Sequence, residues 1–217
     1  MTVINAMLFD LDGTLVDSAP DGVAALNYVR GTVGLPPLAV EEAGHAITRG
    51  APGLLGVGMP ETDEKTFESW RLQLLEHYYA SGFPLSRLYD GIEQVLEALE
   101  AADKPWGIVT NKVEYLTHAY LEVAGLAHRV TSVVCGDTIA ERKPHPEPVL
   151  LACEQMGVAP AEVLFVGDDL RDLEAGNAAG TQIAAVYYGY GSRDLNGPLL
   201  ASSTPIHKPL DLLSLLQ

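Results

Sequence analysis

The sequence predicts an α/β fold: a doubly wound parallel sheet with an α-helical segment inserted after its first strand. Three observations carry this. Five apolar runs are too short for helices and are bounded by Gly, Asp or Asn. Helical patterns alternate with them, as strand–helix–strand units require. A long interval after the first run reads as helix and loop only.

The strands are expected at Val3–Phe9, Trp106–Thr110, Val130–Cys135, Val163–Val166 and Ile183–Tyr188. Their near-continuous apolar character suits a sheet covered on both faces. Helices are expected at Gly91–Ala102, where Ile92, Val95, Leu96 and Leu99 recur at helical spacing, and at Glu114–Ala124, Glu147–Met156 and Leu170–Ala179. Gly125, Gly157 and Gly180 follow three of them as C-terminal caps. The insertion reads as helices at Asp17–Thr32, Val40–Arg49 and Thr62–Ser81, joined by loops at Pro36-Pro37 and at residues 56–60. Trp70, Tyr78 and Tyr79 on the last of these are expected to pack the insertion. Residues 1–15 and 87–217 are expected to form the core and 16–86 the helical insertion, with a loop-rich stretch at Gly189–Pro205 and a closing helix in "PLDLLSLLQ".

At 217 residues, 47% hydrophobic and mean hydropathy +0.12, the chain has the composition of an ordered globular protein. The formal charge is −16 and no basic stripe is present, which argues against nucleic acid as a partner. No Lys/Arg-rich amphipathic segment marks a membrane surface, and no apolar run approaches the ~18 residues of a membrane span. Cys135 and Cys153 lack a paired metal or redox spacing and read as buried reduced thiols, in keeping with a cytoplasmic protein, a monomer or small homo-oligomer.

In an open parallel sheet, ligands bind beyond the carboxyl ends of the strands. Asp10 and Asp12 follow the first strand. Thr110, Asn111 and Lys112 follow the second, Asp137 and then Lys143 the third, and Asp168, Asp169 and Asp172 the fourth. Clustered carboxylates stay ionised together when a cation joins them. Oxygen donors without a His or Cys cluster favour Mg2+ over zinc. A lysine and a hydroxyl beside a hard cation suit phosphate. Asp10 is then a candidate nucleophile able to form an aspartyl-phosphate. Asp12 is a candidate general acid and base, and Lys143 a candidate for neutralising charge on the transferring group.

"DLDGTLVD", "IVTN" ending on Thr110 and Asn111, Lys143 in "RKPHPEP", and "VGDDLRD" at 166–172 stand in order along the core. Together they resemble the signatures of the haloacid-dehalogenase-like hydrolase superfamily. That resemblance implies a Rossmann-like core with a helical cap that closes over a small phosphorylated substrate, hinged near Leu15–Asp17 and Ser86–Gly91. It implies Asp10 as nucleophile and Asp12 as acid/base, and Mg2+ held by Asp10, the backbone carbonyl of Asp12 and Asp168. Asp172 and Asp169 would support the metal from behind. Thr110, Asn111 and Lys143 would hold the phosphate. "GIVTNK", "KPHPEP", "VGDDLRDLEAGNAAG" and "AVYYGYG" look like phosphoglycolate phosphatases and N-acetylmuramic acid 6-phosphate phosphatases alike. These strings lie in the core, so they speak to shared chemistry rather than to substrate.

Lys112 is either a contact for a substrate anion or a surface lysine at a helix start. Arg49, in "ITRGAP", either meets a substrate carboxylate or phosphate or pairs within the cap. The expected function is Mg2+-dependent hydrolysis of a phosphomonoester. A phosphomutase of the same superfamily is the alternative, and a phospho-accepting receiver-type signalling module is a more distant one.

Overall fold

The computed structural model describes residues 3–216. Met1, Thr2 and Gln217, the last residue of the expected closing helix, lie outside the described residues. In chain order the elements are β1 (Ala6–Phe9), β2 (Val16–Asp17), α1 (Ala19–Thr32), α2 (Val40–Ala43), α3 (Gly50–Gly58), α4 (Glu64–Ala80), β3 (Arg87–Leu88) and α5 (Ile92–Ala101). There follow β4 (Trp106–Val109), α6 (Glu114–Val123), β5 (Ser132–Val134), α7 (Glu147–Met156), β6 (Val163–Gly167), α8 (Leu170–Ala179), β7 (Gln182–Val186) and β8 (Thr204–Ile206). The chain divides into two compact units, Asp17–Arg87 and the segments on either side of it.

The flanking segments form the α/β unit. Its sheet has six strands in the order β5-β4-β1-β6-β7-β8, all neighbours parallel. The chain starts at the centre, winds outward through β4 and β5, returns, and winds the other way through β6 to β8. This is the doubly wound order expected, with its reversal at β1. The strands are apolar throughout because both faces are covered: Ala6, Met7, Leu8 and Phe9 are all wholly buried. α7 and α8 pack on one face over Leu8, Val109, Val134 and Phe165.

Several details depart from expectation. β1 begins at Ala6, not Val3, because Val3 is 66% exposed. β8 extends the sheet inside the stretch read as loop, pairing Ala184 with Thr204 and Val186 with Ile206. The expected closing helix is a 3-10 helix over residues 209–215.

The Asp17–Arg87 unit is helical. α1 and α4 agree with the sequence to within two residues. The expected helix Val40–Arg49 is instead α2 followed by a 3-10 turn at Gly44–Arg49. The glycine-rich stretch after it, read partly as loop, is α3. Glycine lowers helix propensity, yet Gly58 lies against α1: a Cβ there would stand 2.5 Å from Leu26 Cδ2 and the leucine would have to move. The buried Arg30 guanidinium donates to the Gly58 carbonyl at the end of α3 and, at 2.8 Å, to Pro36 O. Trp70 and Tyr78 are buried in this unit as expected, whereas Tyr79 is 51% exposed. Among the described residues, no helix is long and apolar enough to cross a membrane.

Candidate active site

The site is built on the α/β unit, where β1, β4 and β6 end. Asp10 continues β1, and its N–H donates to Val166 O at 2.9 Å, so the sheet ladder itself fixes its backbone. Lys143 Nζ donates to Asp10 Oδ1 at 2.6 Å and to Val109 O at 2.6 Å, and lies 2.7 Å from Asp172 Oδ1. It also stands 5.5 Å above the Phe165 ring, a cation–π contact. Carboxylate oxygens of Asp10, Asp168 and Asp172 lie within 4.8 Å of one another, and all three residues are buried.

Each acid is held separately. Asp168 accepts from Thr14 Oγ1 at 3.2 Å and from the Gly191 N–H at 2.8 Å. Asp172, in the first turn of α8, accepts the Asp169 N–H at 3.0 Å. Burial pushes the Asp10 carboxyl up to about 7. The neighbouring Asp172 and Asp12 add to the shift, and Lys143 offsets it only in part. Asp168 is raised well above the carboxylate range, first by burial and then by Asp10 and Asp172. Lys143 keeps a raised pKa although burial opposes it, because Asp10 and Asp172 face it.

The remaining candidates fall into distinct places. Thr110 is buried just past β4, and its Oγ1 accepts the Lys112 N–H at 3.2 Å. Asn111 spends its amide on the backbone of Lys143: Nδ2 donates to Lys143 O at 3.0 Å and Oδ1 accepts Lys143 N at 3.1 Å. It therefore orients the lysine. Lys112 Nζ reaches Asp12, donating to Oδ1 at 2.9 Å and Oδ2 at 3.1 Å. Asp169 caps α8 and grips Arg171, with Oδ1 accepting its Nε at 2.8 Å, so its carboxylate is committed to that arginine and is not one of the three clustered acids. Asp137 accepts the Glu114 N–H at 2.7 Å at the start of α6. Arg49 is exposed on the other unit, where it lines a cavity of about 400 Å3 with Pro52, Gly53, Gly56 and Val57. Among the described residues it forms no ion pair, which removes the alternative of a pair within the cap.

Sequence reasoning gave no site role to Thr14 or to the segment after β7. Gly191 supplies an N–H to Asp168, and Tyr188 Oη donates to Thr14 O at 2.9 Å. A Cβ on Gly189 would collide with Gly13 O and Asp168 Oδ2, so the chain passes there only as glycine. The signal was present in "AVYYGYG", where small and aromatic residues alternate directly after a strand. Cys135 and Cys153 are buried and reduced, with thiols pushed up to about 11 by burial, and stand apart from the site chemistry.

Residues 7–186 match the family model of the haloacid dehalogenase-like hydrolases. An N-acetylmuramic acid 6-phosphate phosphatase of Pseudomonas aeruginosa is 39% identical over 214 residues, covering 98% of this chain and 95% of the relative. A phosphoglycolate phosphatase of Xylella fastidiosa is 40% identical over 203 residues, covering 94% and 89%. A crystal structure of a predicted phosphoglycolate phosphatase from Haemophilus somnus superimposes with a TM-score of 0.87 at 31% identity over the whole of both chains. With its motifs in order and its sheet in the doubly wound arrangement, the chain belongs to the haloacid dehalogenase-like hydrolases and is an enzyme of that family.

Proposed function

We propose that this enzyme hydrolyses a small phosphomonoester that also bears a carboxylate, by way of a phosphoryl group carried on Asp10. The observation that supports this best is the Asp10 carboxylate at the end of β1, 2.6 Å from the Lys143 ammonium and clustered with two further buried acids. The two relatives act, by name, on N-acetylmuramic acid 6-phosphate and on phosphoglycolate. Both compounds combine a phosphate ester with a carboxylate, and that shared chemistry supports this substrate class.

The donor set fits a hard divalent cation such as Mg2+. Three buried carboxylates converge, and Asp10 and Asp168 are pushed toward their protonated forms when no cation balances them. Asp10, Asp168 and the Asp12 carbonyl would hold it. When bound, the cation neutralises charge on the phosphoryl oxygens.

The chain's own groups perform the rest. Thr110 and Lys143 bind the phosphate, and Asn111 sets the direction of Lys143. An Asp10 oxygen attacks phosphorus while the ester P–O bond breaks, and Asp12 gives its proton to the leaving oxygen. Water then attacks the phosphorus of the acyl phosphate, its proton passes to Asp12, and the bond to Asp10 breaks. The sum is ester plus water giving alcohol plus phosphate.

A phosphate-release assay with 2-phosphoglycolate and N-acetylmuramic acid 6-phosphate tests the reading. Release from one of them at many turnovers per enzyme is expected with Mg2+, none after EDTA, and none from a folded Asp10→Asn variant. Isomerisation of a sugar phosphate without release would make the enzyme a phosphomutase. A single stoichiometric phosphorylation would make it a receiver.

A further inference from the structure

Two lysines enter the site, and they serve different acids. Lys143 is committed to Asp10, Asp172 and the Val109 carbonyl. Lys112 is committed to Asp12, which both of its carboxylate oxygens secure: 2.9 Å to Oδ1 and 3.1 Å to Oδ2. The pair is largely out of water, with side chains 9% and 15% exposed. Its partners stand 100 positions apart in the chain, so only the fold brings them together.

The lysine is itself anchored. Its N–H donates to Thr110 Oγ1 at 3.2 Å, and its carbonyl accepts the Gly136 N–H at 2.8 Å. The stem therefore rises from a backbone tied both to the end of β4 and to the loop after β5. An ammonium seated between two oxygens fixes the position of the carboxylate and the direction in which its side chain points. Reaching a substrate anion instead would break a semi-buried pair and leave Asp12 without its counter-ion.

We propose that Lys112 is the positioning residue of the proton-transferring acid: it holds the Asp12 carboxylate in the one orientation from which a proton reaches the leaving oxygen. This rests on the reading of Asp12 as general acid. Proton transfer needs a heavy-atom approach of ~2.6–3.2 Å. An Asp12 free to turn about its side-chain bonds would meet that condition only part of the time. The protons balance over the cycle: Asp12 enters the first step carrying the proton it took from water in the previous turnover and gives it to the leaving oxygen. Lys112 meets the carboxylate so formed at both of its oxygens, and the lysine keeps its own protons throughout. Lys112 touches neither substrate nor phosphoryl group.

The distinguishing measurement is the dependence of kcat/KM on leaving-group basicity across a series of aryl phosphates, because kcat/KM reports the step in which the ester bond breaks. p-Nitrophenolate departs without help, whereas phenolate needs the acid. Lys112→Met is expected to lower kcat/KM at least about tenfold more for phenyl than for p-nitrophenyl phosphate, steepening the plot as Asp12→Asn does. Lys112→Arg, which keeps two donors, is expected to restore much of the shallow slope. A uniform fall across the series, or a KM-only effect, would overturn the proposal by making Lys112 a substrate contact or a structural residue. Lys112→Gln gives the same two outcomes should the Met variant not fold. If Asp12→Asn leaves the slope unchanged, the acid reading itself fails, and the positioning role with it.

Discussion

Lys143 and Asp172 meet at 2.7 Å with side chains only 3% and 2% exposed. Breaking such a buried pair leaves an uncompensated charge, which costs far more than the pair itself contributes. Here the ammonium is shared with Asp10 as well. Lys143→Met is therefore expected to lower the stability of the metal-free enzyme by about 3–5 kcal/mol, read as a drop in the urea midpoint. If the lysine also faces the phosphoryl group, the same change should cost roughly 10²–10³ in kcat with divalent cation present. Full activity in a folded variant would take Lys143 out of the chemistry.

The acids of this site make the metal-free protein sensitive to pH in an unusual direction. Asp10 is pushed from 3.8 up to about 7, chiefly by burial, and Asp168 shifts the same way. Their protons are held more tightly in the folded than in the unfolded chain. Between pH 4 and 7 the unfolded chain thus binds fewer protons, and stability must fall as pH rises. The contribution is fully present below the unfolded value and is lost through the folded one. A Tm series on metal-free enzyme from pH 5 to 8 should decline. Asp168→Asn should flatten the decline, and Mg2+ should restore stability at the upper end by binding only the folded state. A wild-type curve no steeper than that of Asp168→Asn would remove these carboxyls as the cause.

The fold was legible because its signals are local and consistent. Apolar runs of strand length alternate with helices such as α7 and α8, whose ends the sequence marks to the residue. α3 was not legible, because its glycines score against helix, while one of them, Gly58, leaves room for Leu26, a reason that only the packed unit shows. β8 escaped for the opposite reason: three residues with a central proline say little until β7 is beside them. At the site, residue types and their order after each strand brought the candidates to one edge. Partner choice was not readable, since nothing at positions 12 and 112 announces that they pair, nor that Asn111 turns to Lys143 and Asp169 to Arg171. Those choices depend on loop paths that only the packed sheet defines.

The helical unit has an anchor of its own. Asp21, 3% exposed near the start of α1, accepts the Ser86 N–H and Ser86 Oγ, each at 2.6 Å, and the Leu85 N–H at 3.1 Å. It ties the last residues of the unit to its first helix. Asp21→Ala would strand buried donors that water does not reach, at a cost of about 3 kcal/mol. In a Trp106→Phe background, Trp70 alone reports this unit, and its fluorescence should move to a clearly lower urea midpoint. A shift below about 1 kcal/mol, the scale of an exposed pair, would show the anchor to be dispensable.

Arg49 closes the turn at Gly44–Arg49, just before Gly50 at φ +62°, and its side chain stands exposed beside the cavity of its own unit with no ion pair among the described residues. An unpaired guanidinium is well suited to a carboxylate, which it grips with two parallel hydrogen bonds. If the substrate carries a carboxylate beside its phosphate, Arg49→Ala should raise KM for 2-phosphoglycolate or N-acetylmuramic acid 6-phosphate about 30-fold or more and leave p-nitrophenyl phosphate, which has no carboxylate, nearly unchanged. Arg49→Lys should recover only part of the loss, because a point charge cannot reproduce the fork. Equal effects on both substrate types would place Arg49 on the phosphate or in the scaffold, and the choice between the two acids would then have to come from other residues of the helical unit.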